Sequence, residues 1–241
     1  FNGKTVNGEQ ELTFAIAVAG DLRDHCCWLE ASWKGGDAVD AAHLARCTKR
    51  GFKLTSGASG MAYGPELLKA QGSDLYKTWR GAIGTILSGG CMNICDEVAT
   101  QKLGQAWRTV TGNLNPGETE SEDYVGKEYI ESPYSHKSFT DFYDNIMSIK
   151  SSLYGKVDAT SPEKNSIISY LKEHNADLAS SLETKLANAF SALETCQAGK
   201  SFVEVVNSND KTGLANVKKA MDAISELNDE LSVANDWILK N

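Results

Sequence analysis

Residues Glu131–Asn145, ESPYSHKSFTDFYDN, gather one histidine, several hydroxyls and several carboxylates into one loop and one helical start. Glu131, Tyr134, Ser135, His136, Asp141 and Asn145 are the candidate ligand- or metal-binding residues. Asp141 and Asn145 stand four apart, so a helix puts both on one face. With Glu131 and His136 they offer mixed oxygen and nitrogen donors to a divalent cation. Tyr134, Ser135 and His136 fall just before a helix N-terminus, where free N–H groups favour anionic groups. Asp144, Asp96 and Glu97 are weaker candidates; Asp96 and Glu97 are adjacent and so point about 100° apart on a helix. Ser138 and Asp141 also read as S-x-x-D, a relative of the capping box, and that pairing competes with a ligand role for Asp141. A Ser–His–Asp triad is disfavoured, because Ser135 and His136 are neighbours and no G-x-S-x-G elbow accompanies them. His43 and Cys47, at i and i+4, have two-ligand spacing but no matching pair elsewhere.

Long amphipathic helices must position this segment. Leu12, Ala15, Ala19, Leu22, Cys26, Leu29 and Trp33 recur at three and four, predicting a helix from about Glu9 to Trp33 with one core-seeking face. A shorter helix is expected over 38–48, an irregular Gly- and Ser-rich connection over 51–65, and a mainly helical stretch over 66–103. Gly81, Gly84 and Gly89–Gly90 interrupt that stretch, which predicts a kink, a break or a close helix approach. Residues 104–137 read as a second long loop. Phe139, Phe142, Ile146, Ile149 and Leu153 then mark a helix stopped by Gly155. Ser161–Pro162 reads as the start of the next, with a bend near His174–Asn175. Residues 202–206 read as strand or helical turn. The last helix carries Leu214, Val217, Met221, Ile224, Leu227, Leu231, Ala234 and Ile238. No run of period two supports a sheet. The fold class is all-α: long up-down helices in a bundle with two long irregular loops. Residues 1–103 are expected to form a first helical layer, 104–137 a loop, and 138–241 a C-terminal bundle.

The 24 basic and 32 acidic residues leave a net charge of −8, which argues against nucleic acid as partner and favours cations. No apolar run approaches the roughly 18 residues that span a bilayer. The six cysteines form no C-x-x-C; most read as small buried hydrophobes, with room for one or two long-range disulfides. The chain opens on FNGKTVNGEQ without Met, which reads as the product of processing or truncation.

The run ESPYSHKSFTDFYDNIMSIKSSLYG resembles the C-terminal signature of imelysin-like proteins. ELTFAIAVAGDLRDHCCWLEASW, GTILSGGCMNICDEVATQKLG and LASSLETKLANAFSALE extend the likeness over most of the chain. The resemblance implies an all-helical bundle of the bacterial periplasm or cell surface, often a lipoprotein tethered to the membrane outside these residues. It also implies metal chemistry, iron or zinc, in a family classed as metallopeptidases with members tied to iron regulation or uptake. The family hallmark G-x-H-x-x-E is absent: none of His25, His43, His136 or His174 has Gly two before and Glu three after. Lys137 stands where relatives often carry Asn, and its charge opposes a bound cation. The expectation is therefore a half-site, completed by the protein's own N-terminal segment preceding Phe1. This chain by itself is expected to be inactive as a peptidase. A non-catalytic, adhesin-like module displaying the loops 51–65 and 104–137 is the third reading.

Overall fold

The computed structural model describes residues 7–55, 59–70, 75–115 and 129–241. Regular structure among them is helical throughout. The chain divides into two compact units, residues 1–82 and 83–241.

The first unit is built on α1 (Gly8–Lys34), which starts on a capping box between Asn7 and Gln10 and stops at Gly35. A single 3-10 turn leads to α2 (Ala41–Arg50), capped by Asp40 and ended by left-handed Gly51. The short α3 (Tyr63–Leu68) packs on α1. The expected 51–65 connection is thus part helix, and its residues 56–58 lie outside the described ones. The core of this unit is small: Cys27, Ala31 and Cys47, flanked by Val39, Phe52 and Leu54. The face that the spacing marks for burial is not buried. Leu12, Leu22, Leu29 and Trp33 are 62%, 63%, 72% and 53% exposed, and α1 instead turns Cys27 and Ala31 toward α2. Periodicity selects an apolar face but supplies no partner for it.

Helix α4 (Trp79–Thr85) continues into a wider π-wound segment Ile86–Met92, the short α5 (Asn93–Asp96), a second π-wound segment Glu97–Lys102, and α6 (Gly104–Thr111). The expected interruption by glycine takes this form. At Gly84 a Cβ would meet the Leu239 side chain at 3.1 Å and Asn235 at 3.2 Å, so glycine here permits close approach of the last helix. The sequence pattern places residues 83–103 with the first layer, but Leu87, Cys91, Cys95, Val98 and Leu103 are buried in one core with the C-terminal helices. The expected loop 104–137 likewise begins as helix α6, while its Pro116–Gly117 turn and acidic run fall in 116–128, outside the described residues.

Helix α7 (Ser138–Tyr154) buries all five residues of its predicted stripe and ends at Gly155 with φ 77°. Helix α8 (Ile167–His174) starts five residues later than Ser161–Pro162 predicts, because Ser166 is the cap and its hydroxyl accepts from Ser169 N–H. Asn175 separates it from α9 (Ala176–Gln197). Residues Phe202–Asn207 form α10, not a strand, on a Ser201/Glu204 capping box. Helix α11 (Lys211–Lys240) is capped by Asp210 and lies along α9. Its apolar stripe is buried apart from the partly covered Met221.

The thiols follow the same division. Cys91 and Cys95 are buried in the larger core, where burial pushes them up to about 11 and about 12. Cys196 is pushed up to about 11 for the same reason. Cys26 is exposed.

Candidate functional site

The segment before α7 is a tight turn in which His136 N–H donates to the Ser132 carbonyl at 3.0 Å. Ser132 and His136 take left-handed backbone, φ 54° and 57°, a conformation uncommon for residues with a Cβ. Ser138 is wholly buried and donates to the Glu131 carbonyl at 2.5 Å, drawing the turn onto the helix. The expected Ser138–Asp141 cap therefore does not form. Lys137 is the N-cap residue without a side-chain cap, and Ser132 Oγ donates to the Asp141 carboxylate instead. Below, Phe139, Phe142 and Phe202 pack with ring centroids 5.4–6.5 Å apart, fixing the start of α7 against the start of α10.

The candidate residues separate into two groups. On the inner side Lys102 Nζ donates to Asn145 Oδ1 at 3.0 Å and lies 3.3 Å from Glu131 Oε1 and 3.6 Å from Glu97 Oε1. The Lys102 side chain is only 11% exposed, so this cation depends on those oxygens in place of water. Glu97, one of the weaker candidates, thus joins Glu131 and Asn145, while Asp96 is exposed on another side. Sequence reasoning missed Lys102. The available signal was its place at the end of a Gly-interrupted helix, where a lysine on the inner side needs acidic company.

On the outer side His136 Nδ1 lies 3.0 Å from Ser201 Oγ, which donates to Glu204 Oε2 at 2.7 Å. Ser201 holds the Glu204 carboxyl below the usual range. With the serine proton directed at the carboxylate, the imidazole contact is made by an Nδ1–H donating to Ser201. The order carboxylate–serine–imidazole is that of a helix cap, not of a serine nucleophile, whose proton must go to histidine. Beside His136 opens a cleft of about 220 Å³ lined by Lys137, Thr140, Gln197, Lys200 and Ser201. Lys200 is tied to Asp210 at 2.9 Å. Tyr134 projects into solvent, 99% exposed, and Ser135 and Asp144 are exposed too. In the first unit His43 pairs with Glu30 at 2.6 Å and Cys47 is buried, so that pair is not presented to a ligand.

Among the described residues no group of three or more His, Cys, Asp and Glu side chains is arranged to hold a metal ion. Taken alone, Glu131, Asn145 and Glu97 do not fit a metal, because an ammonium already stands among their oxygens.

The fold and this polar turn define an all-helical bundle protein with a charged centre between the inner helices. The sequence profile of the Imelysin family matches residues 6–231, and the chain belongs to that family. No protein of curated function matches it significantly. Two solved structures are similar in fold. One, described as an iron-regulated protein A precursor from Parabacteroides distasonis ATCC 8503, shares 22% identity with a TM-score of 0.62, over 75% of this chain and 48% of that one. The other, an imelysin peptidase from Bacteroides ovatus, shares 24% identity with a TM-score of 0.59, over 75% of this chain and 46% of that one. The matched region thus spans about half the length of either structure.

Proposed function

We propose that this protein is a metal-handling member of the imelysin family, acting at the bacterial periplasm or cell surface, and that residues 131–145 are one half of its cation site. The observation carrying this reading is the match of the Imelysin family over residues 6–231; Glu97, Glu131 and Asn145 converge on one point and would supply oxygen donors only once the Lys102 ammonium withdraws. Oxygens so disposed already offset the cost of one buried positive charge, and such donors suit iron(II) or another hard divalent ion. Lys102 explains why the half-site needs further donors: a divalent ion must compete with a tethered ammonium. An N-terminal segment preceding Phe1 is the proposed source of those donors. His136, held by Ser201, orients the turn that carries Glu131.

Calorimetric titration with iron(II) and with zinc tests this on the present chain and on one extended upstream through a G-x-H-x-x-E motif. The extended chain binds, the present chain binds far more weakly, and Glu131→Gln in the extended chain costs about 10- to 100-fold in affinity. Equal, negligible binding by both chains removes the metal reading. Peptide turnover by either chain that a chelator abolishes favours a metallopeptidase instead.

A further inference from the structure

The polar centre around Lys102 is wound in an uncommon way. Glu97 and Lys102 stand at the two ends of one π-wound segment, and Leu103 N–H donates to the Val98 carbonyl, five residues back, at 3.0 Å. Residues five apart on an α-helix point about 140° away from each other. An i→i+5 winding makes five residues little more than one turn. It is this winding that lets Lys102 Nζ come within 3.6 Å of Glu97 Oε1. From there the ammonium reaches Asn145 Oδ1 at 3.0 Å and Glu131 Oε1 at 3.3 Å. The segment is pinned in this form. Arg108, itself buried, donates from Nη1 to the Thr100 carbonyl at 2.9 Å, inside the π-wound stretch. Gly104 makes room for that contact: a Cβ there would run into the Arg108 guanidinium and lie 2.8 Å from the Ala99 carbonyl.

We propose that Lys102 is a gate for cations at this centre, set in place by the π winding and the Arg108 clamp. This role rests on the metal-handling reading above and decides which ions the centre admits. A tethered ammonium stands at high effective concentration beside its oxygens. A singly charged ion brings no more charge to Glu97, Glu131 and Asn145 than Lys102 does, so sodium and potassium do not displace it. A hard divalent ion brings twice the charge and takes the oxygens as the ammonium leaves. The gate lowers the affinity for every cation and rejects the monovalent ones.

The test follows amine labelling of individual lysines by mass spectrometry, with iron(II) titration alongside. In the present chain without metal, Lys102 is labelled about tenfold or more slowly than Lys240, whose side chain is 73% exposed. Arg108→Gln and Gly104→Ala, each checked for helical content by circular dichroism, remove most of that protection. In the chain extended upstream, iron(II) speeds the labelling of Lys102 and sodium does not. There Lys102→Met binds iron(II) about tenfold or more tightly than the unsubstituted chain, because the site is no longer occupied from within. Labelling of Lys102 as fast as that of Lys240, or unchanged protection in both folded clamp variants, overturns the gate. Iron(II) binding that neither speeds labelling nor tightens in Lys102→Met and Lys102→Gln also overturns it, while the metal reading then stands. No iron(II) binding by the extended chain or by either Lys102 variant removes the metal reading itself, and the gate with it.

Discussion

Helices α1 and α11 both repeat apolar residues at spacings of three and four. Yet Leu12, Leu22 and Leu29 of the first are 62%, 63% and 72% exposed, while Leu214, Ile224 and Leu231 of the last are at most 4% exposed. The last helix lies along α9 and meets the π-wound segments, whereas α1 packs with α2 around Cys27 and Ala31 and meets the short α3 near Trp33. One unit is held by an extensive apolar core from seven or more helical segments. Among the described residues the other is held by the small Cys27–Ala31–Cys47 cluster, by further buried side chains such as Ala62, Glu66 and Ala70, and by a ladder of charges. Removing a large apolar side chain should injure the first, and neutralising charges should injure the second.

The strongest challenge to that contrast is Phe142→Ala. Phe142 is fully buried at the centre of the Phe139–Phe202 cluster, and its truncation is expected to cost about 3–5 kcal/mol in urea unfolding of the larger unit. A cost under about 1 kcal/mol would mean that the aromatic cluster does not fix α7 against α10. A smaller effect is expected from Lys102→Met, which keeps the length of the side chain and removes the ammonium. Glu131 and Asn145 then lose their partner, for an expected loss of about 1–3 kcal/mol. Because Glu97 and Glu131 are partly solvated, 43% and 38% exposed, the lower half of that range is favoured. An unchanged or raised stability would show that burying the ammonium costs more than its three oxygens return.

The mildest effect is the response to acid. Arg23, then Arg46 and Arg50, hold Asp24 below the usual carboxylate range, and Lys34, then His43, do the same for Glu30. A folded value below the unfolded one gives stability that is fully present above the unfolded value and lost as pH falls through the folded one. The α1–α2 ladder should therefore loosen below about pH 4. Hydrogen exchange in residues 8–50 is expected to accelerate there before exchange in α9 and α11 does. Simultaneous loss in both units would erase the distinction between a charge-held and a core-held region.

Much of the fold was legible in the sequence. The stripes of α7 and α11 predicted buried faces, and Gly155 marked a real helix end. Local signals misled where two caps competed. Ser161–Pro162 looks like a helix start, but Ser166 carries the cap. Ser138 looks like a cap, but it points back to the Glu131 carbonyl. The candidate site was legible as a set of residue types and not as an arrangement. Glu131 and Asn145 do converge, with Glu97, but upon a lysine 43 residues from Asn145 in the chain. His136 turns outward to Ser201, 65 residues away.

Residue order by itself determined the helical class, the family signature and which face of each helix is apolar, because these depend on spacings of a few residues. Only the tertiary structure decided which apolar faces find a partner and which cation stands among the acidic side chains of ESPYSHKSFTDFYDN. Burial and ion pairing join residues far apart in the chain, and no local period encodes which distant segment arrives.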